Sequence, residues 1–152
     1  AEGPLLEIGC GTGFLTEEII RRYKSNFTAI DLSDNMVSLC RSKFPQIEVL
    51  HRDGELPLGE EKYGAIFSGM CLHWFTDPKK GLANIRKALK PGGHFYFSFP
   101  NDRSYPEWDH FPLNRFLNVG LFLEEFGNVD FQEIEFRNEY NSPLDFLREM
   151  KQ

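Results

Sequence analysis

Short apolar runs of strand length alternate along the chain with segments whose apolar residues recur at helical spacing. This alternation is typical of a parallel sheet that is covered by helices on both faces. The pattern therefore predicts an α/β fold with a doubly wound, mostly parallel sheet. The predicted strands are Leu5–Ile8, Phe27–Asp31, Glu48–His51, Tyr63–Ser68 and His94–Phe99, followed by an extended stretch over Phe131–Tyr140.

The last two of these segments differ in pattern. His94–Phe99 is apolar on both faces, so we expect a buried central strand whose aromatic residues belong to the core. In Phe131–Tyr140 apolar residues are interspersed with charged ones, which places this stretch nearer an edge of the sheet.

Apolar residues mark one face of two predicted helices, Thr12–Tyr23 and Asp34–Phe44. Asp34 is the preferred N-cap of the second helix, with Ser33 as the alternative. Both helices are expected to cover the sheet.

Turn and capping residues predict three further helices. Asp77 followed by Pro78 supplies an N-cap and a first-turn proline, and the Lys-Pro-Gly-Gly sequence at 90–93 is expected to end that helix. A loop over Pro100–Pro112 leads to a helix near Leu113–Phe126, and Ser142 opens a final helix.

Length and composition narrow the class of protein. With 152 residues, 41% of them hydrophobic, residues 1–152 fit a single domain. A formal charge of −6 disfavours nonspecific binding to nucleic acid or to anionic membranes. Three cysteines without a CxxC pair, and histidines without metal-ligand spacing, predict neither a disulfide framework nor a metal site.

With no apolar run of membrane-spanning length, a cytoplasmic protein is expected. Because Ala1 precedes a strand that begins at Leu5, we expect a fragment.

A glycine-rich turn joins the first strand to the first helix, in the sequence Glu-Ile-Gly-Cys-Gly-Thr-Gly at 7–13. Glycines allow positive φ and leave out Cβ atoms, so backbone N–H groups and the helix N-terminus can approach a ligand closely. A dinucleotide-binding turn would need glycine or alanine where Phe14 stands. Glu7 would repel a pyrophosphate and suits an ammonium group. The turn therefore predicts an amino-acid-like ligand.

Two later acids are expected along the same rim of the sheet. Asp31 closes the second strand, 18 residues after Gly13, where a carboxylate can hold both hydroxyls of a ribose. Asp53, after the third strand, would lie beside Gly54 near an adenine. An ordinary turn residue is the alternative explanation for Asp53.

The glycine turn, Asp31 and the Lys-Pro-Gly-Gly sequence at 90–93 together resemble the class I S-adenosylmethionine-dependent methyltransferases over roughly residues 5–100. The resemblance implies a Rossmann-like, seven-stranded sheet with an antiparallel last strand, of which this chain would lack both ends. It also implies S-adenosylmethionine as cofactor, with the turn around its methionine part, Asp31 on the ribose, and Asp53 and Gly54 beside the adenine amine. The full set of cofactor residues so assigned is Glu7, Gly9, Cys10, Gly11, Gly13, Asp31, Leu32, Met36, Asp53, Gly54 and Ser68.

Two segments resemble one branch of that family, the malonyl-acyl-carrier-protein O-methyltransferases of biotin synthesis. They are the Leu-His-Trp-Phe sequence at 72–75 and the Ser-Pro-Leu-Asp-Phe-Leu-Arg sequence at 142–148. That branch usually has Gln-Trp where this chain has His73-Trp74. The segment at 53–57 is also about one residue shorter than usual, so the adenine pocket can differ slightly.

A carboxylate acceptor with a pKa near ~4 is already ionised at neutral pH, so its methylation needs no general base. Alignment in a dry pocket would then supply most of the catalysis. Arg103 is the candidate cation for a malonyl carboxylate, with Arg115 or Arg148 as substitutes and a solvated loop residue as the alternative explanation. Trp74 either walls the substrate pocket or packs under the cofactor loop.

His73 supports a rival interpretation, in which it takes a proton from a hydroxyl or an amine. A histidine satisfied by backbone groups at the strand end is the other explanation. An acidic acyl carrier protein would need a local basic surface, or these residues simply form a solvated helix face. The candidate basic residues are Lys79, Lys80, Arg86, Lys87 and Lys90.

Three functions remain open from the sequence. The first is a carboxyl methyltransferase of the malonyl-carrier type. The second is a methyltransferase for another small molecule, such as a different carboxylate, a quinone precursor or an amine. The third is a module that binds the cofactor without catalysis.

Overall fold

The computed structural model describes residues 3–101, 104, 117–139, 142, 144 and 145. Strands and helices alternate from the start of this part of the chain. The elements are β1 (Leu5–Ile8), α1 (Phe14–Arg22), β2 (Phe27–Asp31), α2 (Asp34–Lys43), β3 (Glu48–His51), β4 (Tyr63–Gly69), a 3₁₀ turn (Leu72–Trp74), α3 (Pro78–Ala88), β5 (Leu89–Ser98) and α4 (Val119–Phe126). None of the helices in the described ranges is long and apolar enough to cross a membrane.

The five strands form one parallel sheet in the order β3-β2-β1-β4-β5. β1 lies at its centre, with Leu5 paired to Phe27 on one side and to Ala65 on the other. The chain order reverses at β1, and in open α/β sheets a ligand typically binds at such a switch point, outside the carboxyl ends of the strands. The predicted α/β, doubly wound, mostly parallel sheet is confirmed.

Alternate residues of each strand belong to different cores, one on each face of the sheet. Leu5 of β1 packs with Ile19 of α1 and Val37 of α2 in one cluster. Leu6 packs with Ile85 of α3 and Phe122 of α4 in the other. Both faces are therefore covered by helices, and the strands are hydrophobic along most of their length for that reason.

The N-cap of α2 corrects the prediction for Asp34. Ser33 has extended backbone angles (φ −91°, ψ 117°), and its hydroxyl accepts a hydrogen bond from the Met36 N–H at 3.5 Å. Asp34 is already inside the helix, and its carboxylate lies 3.2 Å from Nδ1 of His51 on β3. Of two adjacent residues that could each cap the helix, the cap is therefore Ser33.

β5 also differs from its prediction. Among the described strands it lies at the edge of the sheet rather than at the centre, and its residues from Gly93 to Ser98 alternate between partly buried and exposed. Phe95 and Phe97 pack on Phe126 and Phe122 of α4, which covers one face. On the other face Tyr96 stacks on Phe67 and keeps 49% of its surface exposed. Both faces of β5 are apolar because α4 covers one of them in part and the Phe67 ring covers the other in part.

The end of α3 and the start of β5 are closer than predicted. Asp77 caps α3 as expected, accepting a hydrogen bond from the Lys80 N–H at 3.2 Å. The helix ends at Ala88, and Leu89 already pairs with Tyr63. The sequence at 90–93, which was expected to end the helix, instead lies inside β5 and bulges out before pairing resumes at His94.

Two predictions for the later part of the chain are wrong. No strand forms over 131–139, where the side chains are exposed and no described strand pairs with the backbone. Tyr140 lies outside the described residues. α4 begins at Val119 with Asn118 as N-cap, so the predicted helix does not include Leu117 and Asn118, although it ends at Gly127 as predicted. Residues 113–116 of that prediction lie outside the described residues. Ser142 accepts a hydrogen bond from the Asp145 N–H at 3.3 Å, which is consistent with the predicted cap.

Candidate functional site

The glycine turn follows β1 at the carboxyl edge of the sheet. Its three glycines all have positive φ, 76° at Gly9, 51° at Gly11 and 88° at Gly13, a region that other residues adopt only at a cost. The N–H groups of Gly9 and Cys10 donate to the Ile30 carbonyl of β2 at 2.8 and 3.1 Å. The turn is therefore fixed against the neighbouring strand before α1 begins.

The neighbours of these glycines explain why two of the three positions need glycine. A Cβ on Gly9 would collide with the side chain of Cys71, and one on Gly13 would collide with the ring of Phe44. At Gly11 nothing lies within 4 Å of a Cβ position, so the turn has open space on that side. Gly11 therefore marks the surface that a ligand can approach, and this open space fits a cofactor that lies against the turn.

Asp31 connects the glycine turn to the start of α2. Its Oδ2 accepts a hydrogen bond from the Gly11 N–H and its Oδ1 one from the Ser33 N–H, each at 2.9 Å. Beyond it, Leu32 is 67% exposed and Met36 is partly buried. Asp31, the acid predicted to bind a ribose, thus lies next to the glycine turn, as we predicted from the sequence.

Glu7 lies below the turn and is 1% exposed. Its Oε2 accepts a hydrogen bond from the Thr16 hydroxyl of α1 at 2.6 Å. Burial raises the pKa of Glu7 to about 7, against the lowering effect of the Thr16 bond, and the nearby Asp31 carboxylate raises it further. Glu7 is thus a buried acid that titrates near neutrality, and its contact with a ligand ammonium stays a prediction.

The loop after β3 brings Asp53 and Gly54 to the same rim. Gly54 is buried against Ile8, with no room for a Cβ. Asp53 accepts a hydrogen bond from the Glu55 N–H at 2.9 Å. The turn-residue explanation for Asp53 accounts for that bond, and its contact with an adenine stays a prediction.

Ser68 and Cys10 support the turn from inside. The Ser68 hydroxyl, at the end of β4, donates to the Ile8 carbonyl at 3.2 Å and is 1% exposed. Cys10 is 4% exposed, and burial raises the pKa of its thiol well above the usual value. Burial also raises the pKa of Cys71 to about 11, so both thiols are neutral and contribute packing.

The exit from β4 contains a feature that the sequence analysis missed. Met70 has φ 51°, which is unusual for a residue with a Cβ, and its N–H donates to the Ser98 carbonyl at 2.9 Å. Its side chain is 55% exposed. Methionine has no particular preference for positive φ, so the sequence carries no signal for this conformation.

His73 and Trp74 lie in the 3₁₀ turn, with their ring centroids 4.9 Å apart. Nδ1 of His73 is buried and has no hydrogen-bond partner among the described residues, so the prediction of a histidine satisfied by backbone groups is wrong for this atom. Burial lowers the pKa of His73. Trp74 is 67% exposed, which contradicts packing under the cofactor loop and leaves its side chain available at the carboxyl edge.

Three of the five predicted basic residues on and beside α3 contact acids. Lys87 lies 2.6 Å from Glu60, Lys79 lies 3.4 Å from Glu124, and Arg86 lies 3.5 Å from Glu125. These exposed pairs reduce the positive field that an acidic partner would meet.

The candidate substrate cations Arg103, Arg115 and Arg148 lie outside the described residues. Within the described ranges, no group of three or more His, Cys, Asp or Glu side chains could hold a metal ion.

Comparison with known proteins identifies the family. The sequence pattern of the family described as "Methyltransferase domain" matches residues 6–97, more than half of the chain. The chain belongs to this family. The resemblance to S-adenosylmethionine-dependent methyltransferases, and the cofactor that it implies, are thereby confirmed.

Two curated relatives and one solved structure illustrate the likeness. The biotin biosynthesis bifunctional protein BioCD of Bordetella avium is 36% identical over 71% of this chain and 24% of its own length. The malonyl-[acyl-carrier protein] O-methyltransferase of Priestia megaterium is 30% identical over 86% of this chain and 49% of its own. An S-adenosylmethionine-dependent methyltransferase from Mesorhizobium loti superposes with a TM-score of 0.61 at 27% identity, covering 65% of this chain and 47% of that one.

The methyltransferase domain spans less than half the length of these three proteins. Similarity over that part shows the family and the fold.

Proposed function

We propose that this methyltransferase domain transfers a methyl group from S-adenosylmethionine to a carboxylate, and that the acceptor is the malonyl group of a malonyl-acyl carrier protein, as in biotin synthesis. The observation that carries the proposal is the arrangement of Asp31, whose carboxylate accepts hydrogen bonds from Gly11 of the turn and Ser33 of α2. A carboxylate fixed by two N–H groups is preorganised to accept further bonds from ribose hydroxyls.

The residues around this carboxylate would hold the cofactor along the rim. The open side of the turn at Gly11 would take its amino-acid part, Asp31 its ribose, and Leu32 with Met36 one face of its adenine. Asp53 and Gly54 would lie at the adenine edge. When bound, the sulfonium of S-adenosylmethionine supplies an electrophilic methyl group.

The acceptor follows from chemistry and from the relatives. A carboxylate with a pKa near ~4 is ionised at neutral pH, so no residue has to remove a proton from it. Burial keeps His73 neutral at that pH, so it places no positive charge beside the acceptor. The two biotin-synthesis relatives, at 30% and 36% identity, favour a malonyl carrier over other carboxylates. An acidic carrier that docked on α3 would have to open the ion pairs of Lys79, Arg86 and Lys87.

Calorimetric titration with S-adenosylhomocysteine tests the cofactor part. We expect Asp31→Ala to weaken binding by at least ~100-fold, because two hydrogen bonds to a charged acceptor are lost. Asp31→Asn keeps an oxygen for one backbone N–H and should still bind weakly. Asp34→Ala, three residues away and exposed, is the matched control and should bind normally.

Equal affinity of Asp31→Ala and the unaltered chain would contradict the assignment of Asp31. If the unaltered chain binds, transfer of a labelled methyl group to malonyl-acyl carrier protein tests the acceptor. Transfer to free malonate or to another small carboxylate, but not to the carrier, would contradict the carrier part of the proposal.

One observation favours a second candidate, methylation of a hydroxyl or an amine. His73 has a buried Nδ1 without a described partner, and its lowered pKa keeps the ring in the neutral form that a general base requires. The two candidates differ in whether replacing His73 stops methyl transfer.

A further inference from the structure

Glu55 joins two parts of the site that are distant in sequence. It follows the Asp53–Gly54 loop, and its carboxylate accepts hydrogen bonds from the backbone N–H groups of Thr76 and Asp77, directly after the turn that carries His73 and Trp74. The Thr76 bond is 2.9 Å long. Each carboxylate oxygen has its own donor, so the contact is bidentate.

The backbone of Glu55 is held as firmly as its side chain. Its N–H donates to Asp53 Oδ1 at 2.9 Å, and its carbonyl accepts from Asn84 Nδ2 of α3 at 2.8 Å. Gly81 lets this contact form, because a Cβ there would collide with Phe75 and approach Glu55 Cγ to 3.3 Å. Asp53, Glu55 and the start of α3 therefore form one connected hydrogen-bond network.

Other contacts also hold the His73–Trp74 turn, since Leu72 at its start and Phe75 after it are buried in the core. Within the turn, the Trp74 N–H donates to the Cys71 carbonyl at 3.0 Å and the Phe75 N–H to the Leu72 carbonyl at 3.1 Å. The Glu55 carboxylate fixes the residues that follow, next to the positive end of the α3 dipole. A displacement of the Asp53 loop would therefore shift the carboxylate that accepts from Thr76 and Asp77.

We infer that Glu55 is a positioning residue that couples the adenine-side loop to the His73–Trp74 turn, so that binding at the cofactor site orders the turn on the acceptor side. This inference rests on the proposed cofactor site at Asp53. Coupling of this kind is reciprocal, since an ordered turn also strengthens cofactor binding.

Hydrogen exchange of the Thr76 and Asp77 amides, followed by NMR on the full chain, measures the coupling directly. In the unaltered chain, saturating S-adenosylhomocysteine should slow this exchange roughly fivefold or more. In Glu55→Ala, exchange should be faster without ligand, and the ligand should change it by less than about twofold. Glu55→Gln keeps one acceptor oxygen and should give an intermediate response.

Glu60→Gln is the matched control, because Glu60 is an exposed glutamate that pairs with Lys87 near the C-terminal end of α3. Its response to the ligand should equal that of the unaltered chain. A residue with a merely structural role would raise exchange equally with and without ligand, so an unchanged ligand response in Glu55→Ala and Glu55→Gln overturns the coupling alone. An unaltered chain that binds no S-adenosylhomocysteine would overturn the proposed function and the coupling together. If Glu55→Ala fails to fold by circular dichroism, Glu55→Gln decides between these results.

Discussion

The two sides of the central strand β1 differ in how their polar groups are satisfied. We call the glycine turn with α1, β2 and α2 the β2 side, and residues 69–98 the β4 side. On the β2 side, Glu7 is bonded to Thr16 and Asp31 to two backbone N–H groups. On the β4 side, Met70 has a strained φ and His73 Nδ1 is buried without a partner among the described residues.

The β2 side is therefore preorganised, whereas the β4 side contains a strained backbone position and an unsatisfied polar atom. Fixed dipoles and carboxylates on the β2 side need no rearrangement to hold a ligand, which is what a common cofactor requires. Strained or unsatisfied groups persist only when the surrounding structure holds them, and they cluster at functional sites. We therefore expect the β4 side to determine which substrate accepts the methyl group.

Gly9→Ala should break the contact between the two sides, because the added Cβ collides with Cys71. A positive φ for alanine and an overpacked contact together should lower the free energy of unfolding by roughly 3 to 4 kcal/mol. Gly11→Ala, with φ 51° and open space around the Cβ, carries only the backbone cost of about 1 kcal/mol. Urea unfolding of both variants measures the difference, and equal losses would contradict the packing argument.

The β2 side was predictable because its determinants are close in sequence. Three glycines within five residues require the turn, and strand runs of four and five residues place Asp31 beside it. The cap at Asp77 followed for the same reason, since Pro78 is its neighbour. These features depend on backbone preferences and short-range hydrogen bonds, which can be predicted from neighbouring residue types.

The errors came from contacts between distant elements. Asp34, which does not cap its helix, contacts His51 of the distant strand β3, and the exposure of Tyr96 depends on which strand lies at the edge of the sheet. The strand expected over 131–139 needed a pairing partner that no pattern within it could identify. The positive φ of Met70 and the His73 Nδ1 that lacks a partner among the described residues have no sequence signal, because neither residue type requires its environment.

Glu7→Gln removes a buried ionisable group from the β2 side. Since the pKa of Glu7 rises from 4.5 to about 7 on folding, the folded state binds more protons, and the free energy of unfolding falls as pH rises between these values. Glutamine can still accept the Thr16 bond and does not ionise. Its stability relative to the unaltered chain should increase by roughly 2 to 3 kcal/mol from pH 4.5 to 8, measured by urea unfolding.

The same variant tests whether Glu7 meets the ligand ammonium. Ionisation of Glu7 on binding would release up to about one proton near pH 6, which calorimetry in buffers of different ionisation enthalpy detects. Glu7→Gln should release none and bind S-adenosylhomocysteine more weakly. Identical proton release from both chains would remove Glu7 from the ligand site and leave it with the Thr16 contact alone.

His73→Gln is the mildest change, and it tests the β4 side directly. Glutamine is the residue that usually precedes the tryptophan in the malonyl-carrier branch, so carboxyl methylation should stay within about threefold, as expected when no base is needed. If His73 is instead a general base, the rate should fall by roughly 10²- to 10⁴-fold, and the unaltered enzyme should lose activity as pH drops through the lowered pKa of His73. Initial rates against pH for both chains, with saturating S-adenosylmethionine, separate the two. If the rate falls at low pH in the unaltered chain but not in His73→Gln, the acceptor is a hydroxyl or an amine and not a carboxylate.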